Sequence, residues 1–268
     1  MSSDIVRDEP ELTGNDAVYP AVHIRPGDVP TNRTAPDILL SPRRITISLG
    51  VAIIFLTSAS LAGQIAKYQF GLPTLLGAVD LFYIDLEANL PSIFQVFHLL
   101  FAGILLCAIG IHERRTGSGY ARHWFILAAG FLLLACDEGG VLHERIIYPL
   151  HRVVQLDGVW ASLWVIPGMT AVGGVVLYFR RFVLQMPARD GLQVVFAGAV
   201  FVSGAIGVEM IISGMFDTTA SDWKQSYKYA LMVHVEEFLE MTGVLLFNRF
   251  LLYRVAGCPP VSLAVRSA

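Results

Sequence analysis

Residues 91–111 read PSIFQVFHLLFAGILLCAIGI, a run with no formal charge. A bilayer core about 30 Å thick is crossed by roughly 20 apolar residues at about 1.5 Å of rise each. This run is long enough to cross. Five further windows match it, at about 45–66, 123–144, 159–179, 192–215 and 227–251. Together they predict an all-α fold, a six-transmembrane-helix bundle over residues 43–256. The windows are not uniformly apolar. His98 interrupts the second, Asp137 and Glu138 the third, Glu209 the fifth, and His234, Glu236, Glu237 and Glu240 the sixth.

Composition agrees. Of 268 residues, 54% are hydrophobic and 15% charged, with a mean hydropathy of +0.59. Soluble domains carry about a quarter charged residues. The deficit excludes a disordered chain, a collagen-like fibre and most water-soluble enzymes. A net charge of -3 leaves no basic footprint for nucleic acid. The three cysteines are too scattered for a disulfide scaffold or a thiolate zinc cluster.

Residues 1–42 differ from the rest, with seven acids and six prolines. Such a segment buries too little apolar surface to offset its ordering entropy, so a disordered cytoplasmic tail is expected there. A second short cytoplasmic tail follows at 257–268. Lys and Arg alternate loop by loop in favour of one side, which carries Arg43, Arg44, Arg114, Arg115, Arg122, Arg180, Arg181, Arg189, Arg249 and Arg254. The positive-inside rule then places both termini in the cytoplasm of a multi-pass inner-membrane protein. Trp160, Trp164, Trp223, Tyr83 and Tyr148 fall at the opposite boundary, as an aromatic belt would. Gly198, Gly204 and Gly207 suit close helix packing.

Depth along the windows gathers the ionisable residues. Asp137, Glu138, His143, Glu144, Glu209, His98, His234, Glu236, Glu237 and Glu240 all fall in the outer half of the spans. Spacings of three, four and seven bring Asp137 with Glu144, His234 with Glu237, and Glu240 with Glu236 and Glu237 to shared helix faces. Gly139 and Gly140 are placed to deform the third helix so that Glu138 and His143 turn inward. Ionised carboxylates cost a few kcal/mol each in hydrocarbon. So many acids with so little opposing charge call for protonation or for a cation. Carboxylate with imidazole is the ligand set of iron, manganese and zinc.

The expected ligands of a divalent, dinuclear metal site are Asp137, Glu138, His143, Glu144, Glu209, His234, Glu237 and Glu240, with Glu236 handling protons. The arrangement shares the logic of the di-iron carboxylate bundles. The sixth window, however, reads His-x-x-Glu instead of Glu-x-x-His, which makes this an analogy of chemistry. The segment between the first two spans, with Asp85 and Glu87, is read as an interfacial helix over the site or an extended external loop.

The string Cys136-Asp-Glu-Gly-Gly-Val-Leu-His-Glu144, with Glu209 and His234-Val-Glu-Glu-Phe-Leu-Glu240 downstream, resembles a pattern in uncharacterised bacterial multi-pass membrane proteins. The resemblance covers the third to sixth windows and implies no activity, cofactor or substrate.

The function expected from the residues is metal-dependent oxidation or hydrolysis of a hydrophobic small molecule reached from the lipid bilayer. The same acids also fit a proton- or cation-coupled transporter. A haem carrier using His98, or an accessory subunit of a larger membrane complex, are further alternatives.

Overall fold

The computed structural model describes residues 41–142, 145, 153–154, 156–216 and 222–257. Most of both expected tails, together with His143, Glu144 and Tyr148, lie outside the described residues. Seven helices order what is described: α1 (Pro42–Gln69), α2 (Ala78–Phe82), α3 (Leu90–Arg115), α4 (Ala121–Gly140), α5 (Val165–Leu184), α6 (Ala188–Met215) and α7 (Tyr227–Ala256). No strand occurs among these residues.

Local chemistry sets the helix starts. Pro42 opens α1, where a missing N–H costs nothing and the fixed φ suits a first turn. Asn89 and Ser92 form a reciprocal capping box at the start of α3, with Pro91 in its first turn. Ser226 accepts from the Tyr229 N–H to start α7. His112, Arg114 and Arg115 end α3, where cations favour the helix dipole. Helix α6 is continuous in length but contains a π-turn over Ser203–Val208.

Three helices, α1, α3 and α6, are long and apolar enough to cross a membrane, against the six windows read from the sequence. The other three windows also form helices. Ionisable side chains interrupt two of them, Arg122, Asp137 and Glu138 in α4 and Lys228, the three glutamates, Arg249 and Arg254 in α7. In the fourth window the helix starts late, at Val165, and runs on into Arg180 and Arg181. The third window also stops short: α4 ends at Gly140, and Val141 follows in the left-handed region at φ 51°. Leu142 and Arg145 are helical again beyond Val141, and the Arg145 N–H donates to the Val141 carbonyl at 3.1 Å, so the chain breaks direction just after the diglycine. A β-branched residue at positive φ costs of order 1–3 kcal/mol, strain stored directly beside the acids of α4.

Helix α7 is the axis of the bundle and packs against α1, α3 and α6, while α4 lies along α3. Paired contacts fix the register. Tyr68 meets Tyr227 and Gly50 meets Leu245, so α1 and α7 are antiparallel. Phe131 stacks on Phe247, and Arg254 lies over Trp124, so α4 is also antiparallel to α7.

Between α6 and α7 the backbones nearly touch. A Cβ on Gly243 would lie 2.6 Å from the Phe201 nitrogen, and one on Gly204 would lie 2.7 Å from the Glu236 carbonyl oxygen. Of the three glycines expected to serve close packing, only Gly204 does so. Gly198 and Gly207 face open space.

One core, with Leu106, Ile109, Trp124, Phe182 and Leu251, fills the end where α3 and α7 finish. A second, with Ile53, Ile84, Ile212, Tyr229 and Val233, fills the end where α7 starts. His123 sits in an aromatic nest, stacked 4.9 Å from the Phe182 ring.

Candidate functional site

The acids of α7 lie in its first four turns, and the register decides what stands opposite. In α6 the close approach at Gly204 brings that helix onto Glu236, Leu239 and Glu240, and Glu209 follows directly after the π-turn. In α4 the contacts at Phe131 and Trp124 carry Glu138 to the level of Glu240. In α3 the Asn248 amide donates to the His98 carbonyl at 3.1 Å, and Val96 lies against Gly139. Gln95 and His98 are thereby set beside the acidic end of α4.

The segment between α1 and α3 carries one short helix, α2, and is largely exposed, but it inserts a few residues into the bundle. Tyr83, Ile84 and Asn89 are buried. The Ile84 N–H donates to the Ser60 hydroxyl of α1 at 3.0 Å. The Asn89 side-chain amide donates to the Tyr83 carbonyl at 2.6 Å and to that of Asp80 at 3.2 Å. The Tyr229 hydroxyl of α7 donates to Asp85 at 3.0 Å, and the Tyr83 ring lies 6.2 Å from that of His234. Tyr83 is therefore no part of an aromatic belt. Burial, and then the Asp85 carboxylate, push its phenol well above the usual tyrosine range, so it stays neutral.

The result is a gathering of carboxyl groups. The carboxylates near enough to act on Glu237 are Glu240, Glu138, Asp85 and Glu87. Those acting on Glu240 are Glu236, Glu138, Glu209 and Asp137. Glu209 and Asp85 lie within electrostatic range of Glu236, as does the Lys224 cation. Glu87 lies within range of Glu138. Two elements thus join the acids that sequence depth picked out, and both come from the inserted segment: Asp85 and Glu87. The signal that could have found them is their own sequence, two acids between apolar residues immediately before a capped helix.

Buried polar atoms flank these acids. The His234 Nδ1 pairs with the Ala230 carbonyl at 2.6 Å, leaving a buried Nε2 without a hydrogen-bond partner. Both ring nitrogens of His98, and both amide atoms of Gln95 and Gln64, are likewise buried and unpartnered. His98, Gln95 and Gln64 are each 1% exposed. A buried unpaired polar group costs about 1–3 kcal/mol, so this set marks a place where the chain is not optimised for its own packing.

Among the described residues, no three His, Cys, Asp or Glu side chains are drawn together closely enough to hold a metal ion. His143 and Glu144, two of the expected ligands, lie outside those residues. Asp137, Glu138, Glu209, His234, Glu237 and Glu240 are all described, and Glu236 lies among them, close to Glu209 and Glu237.

No curated protein and no solved structure matches the chain. A family model does match, over residues 47–255, a span that runs from the first helix to the end of the last and takes in the whole acidic end. The chain belongs to the family described as a domain of unknown function, DUF8692.

Proposed function

We propose that the chain is a multi-pass inner-membrane protein, crossing the bilayer six times with both termini in the cytoplasm. In this reading its acidic end binds divalent iron, manganese or zinc and acts on a hydrophobic small molecule. The outward faces of the helices support the six crossings. Leu133 of α4, and Val176 and Leu177 of α5, are 69%, 61% and 65% exposed at mid-helix, as lipid-facing residues would be.

One observation supports the metal: carboxylates from α4, α6, α7 and the inserted segment lie within electrostatic range of one another, and the groups acting on Glu237 and Glu240 are other acids. A divalent cation closes that balance. The histidine fits as well. A backbone carbonyl on Nδ1 fixes the ring and leaves Nε2 as a ligand. Glu138, Glu209, His234, Glu237 and Glu240 would hold the ion, joined by Asp137, His143 and Glu144, while Glu236 handles protons. An ion held this way activates water or oxygen. The inserted segment, with Tyr83 neutral and Ile84 buried, excludes water from the side facing α1.

A second reading, proton- or cation-coupled transport, is favoured by the π-turn in α6 and by the lack of a tight three-ligand group among the described residues.

The test is elemental analysis of the wild type and of Glu237→Ala, Glu209→Ala and Glu113→Ala. The proteins are purified without chelator or histidine tag and loaded anaerobically with iron, manganese or zinc. Wild type and Glu113→Ala are expected to hold stoichiometric metal and to melt higher once loaded, by mass action on the folded state. The other two variants lose both effects. Sub-stoichiometric metal in the wild type rejects the metal reading in favour of transport.

A further inference from the structure

The opposite end of the bundle holds an open cavity of about 690 Å³, formed where α3 ends, α6 begins and α7 ends. Its charged lining is Arg189, Arg249, Arg254, Glu113 and Asp190, with His112 beside them. The two acids are committed. Arg254 pairs with Glu113 at 3.1 Å and with Asp190 at 3.6 Å, so one arginine answers both carboxylates. Arg249 lies over the Tyr253 ring, 5.5 Å from its centroid. Among the described residues neither Arg249 nor Arg189 makes an ion pair. The cavity is therefore net positive, and its two uncommitted guanidinium groups come from different helices.

We propose that this cavity is a phosphate-binding site, with Arg189 of α6 and Arg249 of α7 as its direct contacts and Arg254 held in place by Glu113 and Asp190. Guanidinium forks match phosphate oxygens in paired hydrogen bonds. A phosphate presents oxygens on several sides and can meet arginines from two helices at once, which a planar carboxylate does less well. Basic pockets between helix ends at a membrane surface take anionic lipid headgroups in this way. A free phosphate in the adjoining water offers the same group.

The test uses the full chain in nanodiscs of mixed phosphatidylglycerol and phosphatidylcholine, with bound lipid counted by native mass spectrometry and inorganic phosphate as competitor. Wild type is expected to retain phosphatidylglycerol over phosphatidylcholine. Arg249→Gln and Arg189→Gln should each weaken that preference about fivefold. Arg122→Gln, an exposed arginine outside the cavity, should leave it unchanged. Displacement of the lipid by inorganic phosphate assigns the site to phosphate itself, and retention against it assigns the site to the lipid headgroup. If Arg249→Gln fails to fold, Arg189→Gln, at an exposed helix start, decides. No preference in the wild type, equal preference in the cavity variants, or an equal loss in Arg122→Gln overturns the proposal.

Discussion

The two ends of α7 carry acids in opposite circumstances. At the end where α7 finishes, Glu113 and Asp190 turn to Arg254, and the charges are paired across three helices. At the end where it starts, Glu236, Glu237 and Glu240 lie within electrostatic range of Glu138, Glu209 and Asp85. One helix thus meets acids paired with its own arginine at one end and sets its own acids among other acids at the other. Paired charges of the first kind hold elements together. Gathered like charges oppose folding, and a chain that keeps them keeps them for a ligand or a proton.

The contrast depends on α6 and α7 staying in contact, so the largest effect is expected from Gly243→Ala. Its Cβ would lie 2.6–2.8 Å from backbone and side-chain atoms of Phe201, which cannot give way without moving α6. A loss of about 3 kcal/mol is expected, together with loss of bound metal as Glu209 moves off α7. Gly198→Ala, facing open space, should be neutral or stabilising. Thermal melts of both variants check this, and equal melting temperatures would break the assignment of the contact.

The next prediction concerns sign. In metal-free protein, Glu240→Gln removes one of several like charges and should stabilise by about 2 kcal/mol. Glu113→Gln removes a partly exposed pair and should destabilise by about 0.2–1 kcal/mol. An unchanged melting temperature for Glu240→Gln would mean that this carboxyl is already neutral or paired, and the difference between the two ends would vanish.

The smallest effect is expected from Tyr229→Phe, which removes the hydrogen bond from the Tyr229 hydroxyl to Asp85. It should cost about 1 kcal/mol and raise hydrogen exchange in residues 83–89 without changing exchange at Glu113. Uniform exchange across the chain would show that the inserted segment is not held from this point.

The helices and the common depth of their acids were legible because both follow from counting at 1.5 Å per residue. The packing partners were not. Gly198, Gly204 and Gly207 look alike in sequence, yet only the one opposite Glu236 is a contact. The approach of Asp85 to the acids of α7 could not be read from its own segment, because it depends on the hydrogen bonds of Ile84 to Ser60 and of Asp85 to Tyr229, residues distant in the chain. A deformation at Gly139 and Gly140 was legible, but its place, the left-handed Val141 just beyond them, was not.

The π-turn of α6 has a consequence for chain length. A π-turn is an α-helix that has taken in one residue more than its turns require. Closing residues 203–208 into uninterrupted α-helix with that residue still present would turn everything beyond by about 100° around the axis, the angle between successive residues. Residues 188–202 would stay in place, and Glu209 would swing off α7. Deleting one residue there removes the surplus and leaves Glu209 facing as it does, so the π-turn is as much a part of the site as the carboxylate itself.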